Sequence, residues 1–215
     1  MTETTPLKKG AAPDSTANPN EPAYVKLTAI LLATLGVFTG LAYGSLFLDS
    51  DLAKEIRDKK LGMVEAMDLQ WCYLALVVLG RTVALLNFVP IGYKNGLKGN
   101  IRSNPFFLQT TGDDTTQPQQ LVLYREDGFH GKYNRANRSV HHMVETSGAF
   151  LAAVGPVGWL FPRQTFGAVL LFCAGRILHQ KGYTQGYGQH GLGFVLSLLG
   201  TLLVEGLALL VVFLL

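Results

Sequence analysis

What most narrows the folds open to this chain is a set of apolar stretches too long for the interior of an ordinary soluble domain. They run from about Tyr24 to Leu48, Met67 to Val89, Arg138 to Leu160, Thr165 to Lys181, and Leu192 to the C-terminus. A helix rises ~1.5 Å per residue and the hydrocarbon layer of a bilayer is ~30 Å thick, so about 20 apolar residues cross it. Backbone N–H and C=O groups in that layer must bond within the segment, which makes each stretch a helix. The expectation is an all-α membrane protein. Charged residues supply 15% of the chain, against about a quarter in soluble domains. The net charge of +3 is small and comes without a basic block, which argues against nucleic acid as a partner. Cys72 and Cys173 lie inside apolar runs with no metal or redox spacing and read as packing residues.

Residues 1–22 are polar and rich in Thr, Pro and Asn, the composition of a disordered tail, and they lack the pattern of a cleaved signal. In the first span Gly36, Gly40 and Gly44 lie four apart, a spacing that lets a neighbouring helix approach closely. The mixed-sign connection from Asp49 to Glu65 reads as a short surface helix. In the second span, Trp71 and Tyr73 suit a membrane interface. Arg81 stands inside that span, where a cation needs a partner or a cavity, and Glu205 is the only charge of the fifth. Glu205 is one candidate partner for Arg81. Between the second and third spans, Ile91 to Lys132 form a long polar loop carrying Lys94, Lys98, Arg102, Arg125 and Lys132. Loops of that length are functional covers or mobile segments.

The third span opens with a crowd of polar residues. On a helix at 100° per residue Asn134, Arg138, His141, His142 and Glu145 share one face. Such a stripe faces other helices or a ligand, or else marks a helix start in the headgroup layer with Glu145 paired to Arg138. The fourth span ends with Arg176, His179 and Tyr183, again on one face. A glycine-rich turn then leads through His190 into the fifth. Three crossings of alternating direction put these ends on one side of the membrane, together with the long loop. Cations are more numerous on that side, which assigns it to the cytoplasm.

Tyr133-Asn134, Arg138, Glu145, Gly175-Arg176 and Gly182-Tyr183 resemble the MAPEG family (membrane-associated proteins in eicosanoid and glutathione metabolism), and most nearly its microsomal glutathione S-transferase branch. The likeness covers about residues 67–215. It implies a four-helix transmembrane bundle, with residues 23–66 as an additional N-terminal helix and charged connector. It also implies a homotrimer in contact with membrane lipid, located in the endoplasmic reticulum or another organelle membrane. Glutathione is the implied co-substrate, held near the cytosolic face with an arginine stabilising its thiolate.

Carried over by position, Arg138, Glu145 and Arg176 become glutathione-binding residues, as do His142 and His179, which stand where the family has Asn and Tyr. Tyr183 and His190 become the catalytic candidates, His190 lying about where the family's thiolate-stabilising arginine belongs. The chemistry agrees with this set, because two carboxylates and one amine call for guanidinium forks and a carboxylate. No metal site is expected, since adjacent His141 and His142 cannot easily ligate one ion. The implied function is a membrane glutathione transferase or peroxidase acting on lipophilic electrophiles or lipid hydroperoxides. The alternatives are a non-catalytic lipid-binding or scaffold protein of the same fold, and a helical subunit of a larger membrane complex.

Overall fold

The computed structural model describes residues 24–48, 50–95, 106, 108–110, 122–186 and 188–215. The N-terminal tail and the loop cations Lys98 and Arg102 lie outside these residues. In chain order the elements are α1 (Tyr24–Leu48), α2 (Ser50–Glu55), a π-helical turn (Ile56–Leu61), α3 (Gly62–Ala66) and α4 (Gln70–Asn95). A short ribbon of β1 (Leu108–Thr110) and β2 (Val122–Tyr124) follows, then α5 (Gly128–Leu160), α6 (Pro162–Gln185) and α7 (Gly191–Leu214). The protein is an all-α membrane bundle of α4, α5, α6 and α7, with α1 as a further span at its N-terminal side. The antiparallel ribbon, with Leu108 opposite Tyr124, is a local addition inside the long loop.

Of the five expected spans, α1, α4, α5 and α7 are long and apolar enough to cross a bilayer by composition alone. The fourth, α6, falls short on that measure because Arg176, His179, Gln180 and Lys181 dilute it. It runs the same length as α7 and packs against α4, α5 and α7. Arg176, His179 and Gln180 are buried and so meet protein rather than lipid, while Lys181 is exposed.

The main core joins the same four helices. Phe150 of α5 stacks on Phe172 of α6 with ring centres 4.1 Å apart, surrounded by Ala75, Leu79, Val154, Val169 and Val204. Gln180 crosses this packing as a polar rivet. Its Nε2 donates to the Leu86 carbonyl on α4 at 2.9 Å and to the Ala136 carbonyl on α5 at 3.4 Å. Cys173 is part of the core, and the Cys72 thiol donates to the Gly158 carbonyl at 3.0 Å, so both cysteines pack as free thiols.

Helix ends differ from the sequence expectation in one informative place. The third span starts as a helix at Gly128, ten residues before Arg138. Residues 128–132, read as the end of the long loop, are thus helical; Tyr133 is buried with Val89, Tyr93 and Ala136, and Asn134 Nδ2 donates to the Arg125 carbonyl at 2.8 Å. At the far end α5 and α6 are separated by Phe161 alone, with Pro162 opening α6 where its missing N–H costs nothing. Arg163 pairs with Asp68 at 3.0 Å across this far face. Asp68 adopts a left-handed φ of 56°, which aspartate tolerates in tight turns.

Close helix approach occurs elsewhere than the α1 ridge. Gly36, Gly40 and Gly44 have open space where a Cβ would stand, so among the described residues that ridge packs against nothing. The tight seam is between α6 and α7. A Cβ on Gly175 would meet the Ser197 backbone, and one on Gly193 the His179 backbone. One on Gly182 would meet Gln189, and one on Gly200 would meet Phe172. Gly175 and Gly182, like Gly193 and Gly200, are seven apart and share a helix face, so the two backbones lie against each other along two turns. Overpacking such a contact costs about 1–3 kcal/mol. Gly193→Val is therefore expected to lower the thermal unfolding temperature in detergent clearly, while Gly206→Ala, which meets open space, leaves it unchanged. Equal melting of the two variants would show that the seam does not hold the bundle.

Candidate functional site

At the end of the bundle nearest the long loop, the α6–α7 seam sets three polar side chains around one space. Because Gly193 lets α7 press on the backbone at His179, and Gly182 lets the turn press on α6, His190 reaches the same level as His179 and Tyr183. Its ring lies edge-on to both, with centres 5.2 Å from His179 and 4.9 Å from Tyr183. His179 is sandwiched between His142 and Tyr183 in near-parallel stacks at 5.5 and 5.6 Å. Together with Arg138, Ser139 and Phe194 these residues line a cavity of about 220 Å³.

The wall behind the cavity is a chain of hydrogen bonds. Ser139 Oγ and His179 Nδ1 lie 2.9 Å apart, both buried. Arg176 is 2% exposed and donates from Nη2 to the Ser139 carbonyl at 3.0 Å. Its Nη1 stands 3.3 Å from His142 Nδ1. A guanidinium has no acceptor, so His142 Nδ1 must accept, which leaves that ring's proton on Nε2. Arg176 Nε finds no partner among the described residues, and neither does the buried His190 Nδ1.

Arg138 stands at the mouth, half exposed, its Nη1 donating to Glu145 Oε1 at 2.9 Å. It also lines, with Tyr183, an adjoining cavity of about 170 Å³. There Arg125 and Arg135 complete a set of three guanidiniums, with Glu126 and the rings of Phe106 and Tyr124. Arg135 spends its donors on backbone carbonyls, those of Glu126 at 2.7 Å and Thr184 at 3.2 Å. The two cavities thus form one polar tract on either side of Arg138 and Tyr183.

Of the seven site residues expected from sequence, the structure brings Arg138, His142, His179, Tyr183 and His190 onto one cavity. Glu145 lies outside the lining, one step away through Arg138. Arg176 stands behind the lining rather than on it, with Nη1 and Nη2 engaged by His142 and Ser139. Glu205 makes no ion pair with Arg81, as α4 and α7 pack on α6 and α5 rather than on each other. Asn134 belongs to the second cavity, and His141 faces outward against Phe106. Ser139, Phe194 and Arg135 were not singled out from sequence. Ser139 lies ~60° around the helix from His142, outside the stripe, so periodicity alone did not select it. Among the described residues no three His, Cys, Asp or Glu side chains are placed to share a metal ion. Parallel stacking of His142 on His179 turns their nitrogens side by side instead of toward a common point.

Fold and site together define the class: an integral membrane helical bundle with a polar, arginine- and histidine-lined tract at one end. Residues 115–213 match the model of the MAPEG family, whose members are all-helical membrane bundles. The matched region includes α5, α6 and α7 and therefore all seven expected site residues, while α1 and α4 precede it. No curated protein and no solved structure matches the chain.

The Arg176–His142 contact gives a direct check on this geometry. Nitrogen NMR of imidazole-labelled protein is expected to show neutral His142 with its proton on Nε2. In Arg176→Met the acceptor role at Nδ1 is released and the tautomers redistribute. An unchanged His142 spectrum in that variant would mean that Arg176 does not orient the ring.

Proposed function

We propose that this protein is a membrane-bound glutathione transferase or peroxidase that acts on lipophilic electrophiles or lipid hydroperoxides. The observation that carries the reading is the continuous polar tract formed by the two cavities, with Arg138 between them. Glutathione carries two carboxylates and one ammonium group. Guanidiniums match the first by bidentate hydrogen bonding, and Arg125 and Arg138 supply them on one side of the tract. Glu126, or Glu145 once released from Arg138, supplies the carboxylate for the ammonium. Glutathione brings a thiol to be made nucleophilic. The groups of this chain placed to hold or accept its proton are Tyr183 Oη and the imidazoles of His142, His179 and His190. The family match supports a role in glutathione or eicosanoid-related membrane chemistry at this coarse level.

In this reading His142 and His179 serve the site as neutral rings held by Arg176 and Ser139, and Arg176 acts through them. Assembly as a homotrimer in an organelle membrane, with residues 67–215 as the MAPEG-like unit and 23–66 as an added segment, is part of the same proposal. A second reading, a non-catalytic lipid-binding or scaffold protein, draws on one observation. The inner cavity is lined by imidazoles and a phenol where a thiolate needs a fixed cation, with Arg138 only at its mouth.

Calorimetry with glutathione and a conjugation assay with a chlorodinitrobenzene-type electrophile separate the two. Binding with turnover is expected, and binding without turnover would favour the second reading. Arg138→Ala is expected to weaken glutathione binding more than tenfold. Its fold stability should change by less than ~1 kcal/mol, because the ion pair it loses to Glu145 is half exposed. Normal binding by Arg138→Ala would place the ligand elsewhere.

A further inference from the structure

At the far end of the bundle, away from the polar tract, α4 and α5 part around a hollow of about 330 Å³. Small residues open it. Cys72 and Ala75 of α4 line it with Gly155 of α5, where a Cβ would meet nothing within 4 Å. α6 begins directly after Phe161, and Thr165 in its first turn closes the back. Ala75, Val154 and Thr165 are buried, whereas Tyr73, Leu76, Leu151 and Trp159 around the rim are exposed. α1 reaches α4 near Tyr93 through Tyr24 and Leu27, at the opposite end, and among the described residues it leaves this rim open. The lining runs from Leu69 to Leu79 on α4 and from Leu151 to Trp159 on α5. At ~1.5 Å per residue these stretches are ~12–15 Å long, about half of a ~30 Å hydrocarbon layer. The hollow therefore opens sideways into the far leaflet, with Tyr73 and Trp159 at the level where amphipathic rings settle.

The back wall carries a polar group without a partner. Thr165 is 0% exposed, and its Oγ1 meets no hydrogen-bonding atom among the described residues. The neighbouring Cys72 thiol is already engaged by the Gly158 carbonyl. An unpaired hydroxyl in such surroundings is costly, and an oxygen brought by a ligand removes the cost. Size narrows the choice of ligand. A helix with its side chains is ~10 Å across and cannot enter. The volume of about 330 Å³ lies at the small end of the ~300–1,000 Å³ usual for ligand pockets, which suits one acyl chain and not two. The geometry points to a binding site for a single-chain lipid of the far leaflet. Its chain lies along Ala75, Leu79 and Val154, and its hydroxyl or carbonyl oxygen pairs with Thr165 Oγ1. Arg138 and His190 stand at the other end of the bundle, so the inference is independent of what the polar tract binds.

Full-length protein in phosphatidylcholine nanodiscs, with a small fraction of a monoacylglycerol carrying a photoactivatable group in its chain, tests this site. After irradiation, mass spectrometry is expected to find labels concentrated on residues 69–79 and 151–165, and unlabelled monoacylglycerol should compete them away. Gly155→Phe fills the hollow without meeting backbone and should cut this labelling about tenfold. Thr165→Val keeps the shape and removes the hydroxyl. Monoacylglycerol should then compete ~5-fold less well, while an alkane of equal chain length competes as before. Should Gly155→Phe fail to fold, the Thr165→Val comparison decides. Labels spread evenly over the lipid-facing helices, or equal labelling by a two-chain phospholipid probe, would overturn the proposal. So would cross-links from a second copy of the chain in place of the probe, or identical competition curves for wild type and Thr165→Val.

Discussion

The glycine-lined seam between α6 and α7 is the contact on which the rest of the molecule depends. In a bilayer no water is squeezed out when helices associate, so their attraction comes from backbone proximity and packing. Gly175, Gly182, Gly193 and Gly200 supply that proximity, and in doing so they fix the level at which His190 meets His179 and Tyr183. One arrangement therefore holds the bundle and composes the cavity. A side chain at any of these four positions would separate the helices and pull the rings apart together.

The polar groups of α6 form a second layer of constraint. Arg176, His179 and Gln180 are buried on a helix enclosed by three others, and each makes at least one hydrogen bond to a neighbour. Gln180 bonds carbonyls of α4 and α5, His179 meets Ser139, and Arg176 meets Ser139 and His142. A buried polar group without a partner costs several kcal/mol in such surroundings, so these bonds select the rotation of α6 about its own axis. The cavity wall follows from that choice. Residues facing the space are held by residues one layer behind, and the buried guanidinium belongs to that supporting layer.

Much of the fold was legible in the sequence because apolar length is a strong signal. The limits of the spans were less so, since α5 begins at Gly128, inside the polar stretch read as loop to Lys132, where no apolar run marks a helix start. The convergence of Arg138, His142, His179, Tyr183 and His190 was readable from helical periodicity and alternating crossing direction. The placement of Arg176 was not, because periodicity locates a side chain on a helix face without saying how deeply that face is buried. Glycine spacing in α1 marks no contact among the described residues, and that in α6 and α7 went unremarked. Four-residue spacing makes a ridge available, but only a facing helix with its own small residues turns it into a contact.

Helix α5 has 33 residues, so at ~1.5 Å each it is roughly 50 Å long, some 20 Å more than the hydrocarbon layer needs. Its far end is anchored at Phe161, where the chain turns directly into α6, and the excess projects on the loop side. His142 then stands ~29 Å and Arg138 ~35 Å from that anchor, on either side of the boundary between hydrocarbon and headgroups. The tract straddles a phase boundary. Under the proposed function, a water-soluble ion would enter from above and an oil-soluble molecule from the side, so two reactants that scarcely mix in solution would share a single doorway.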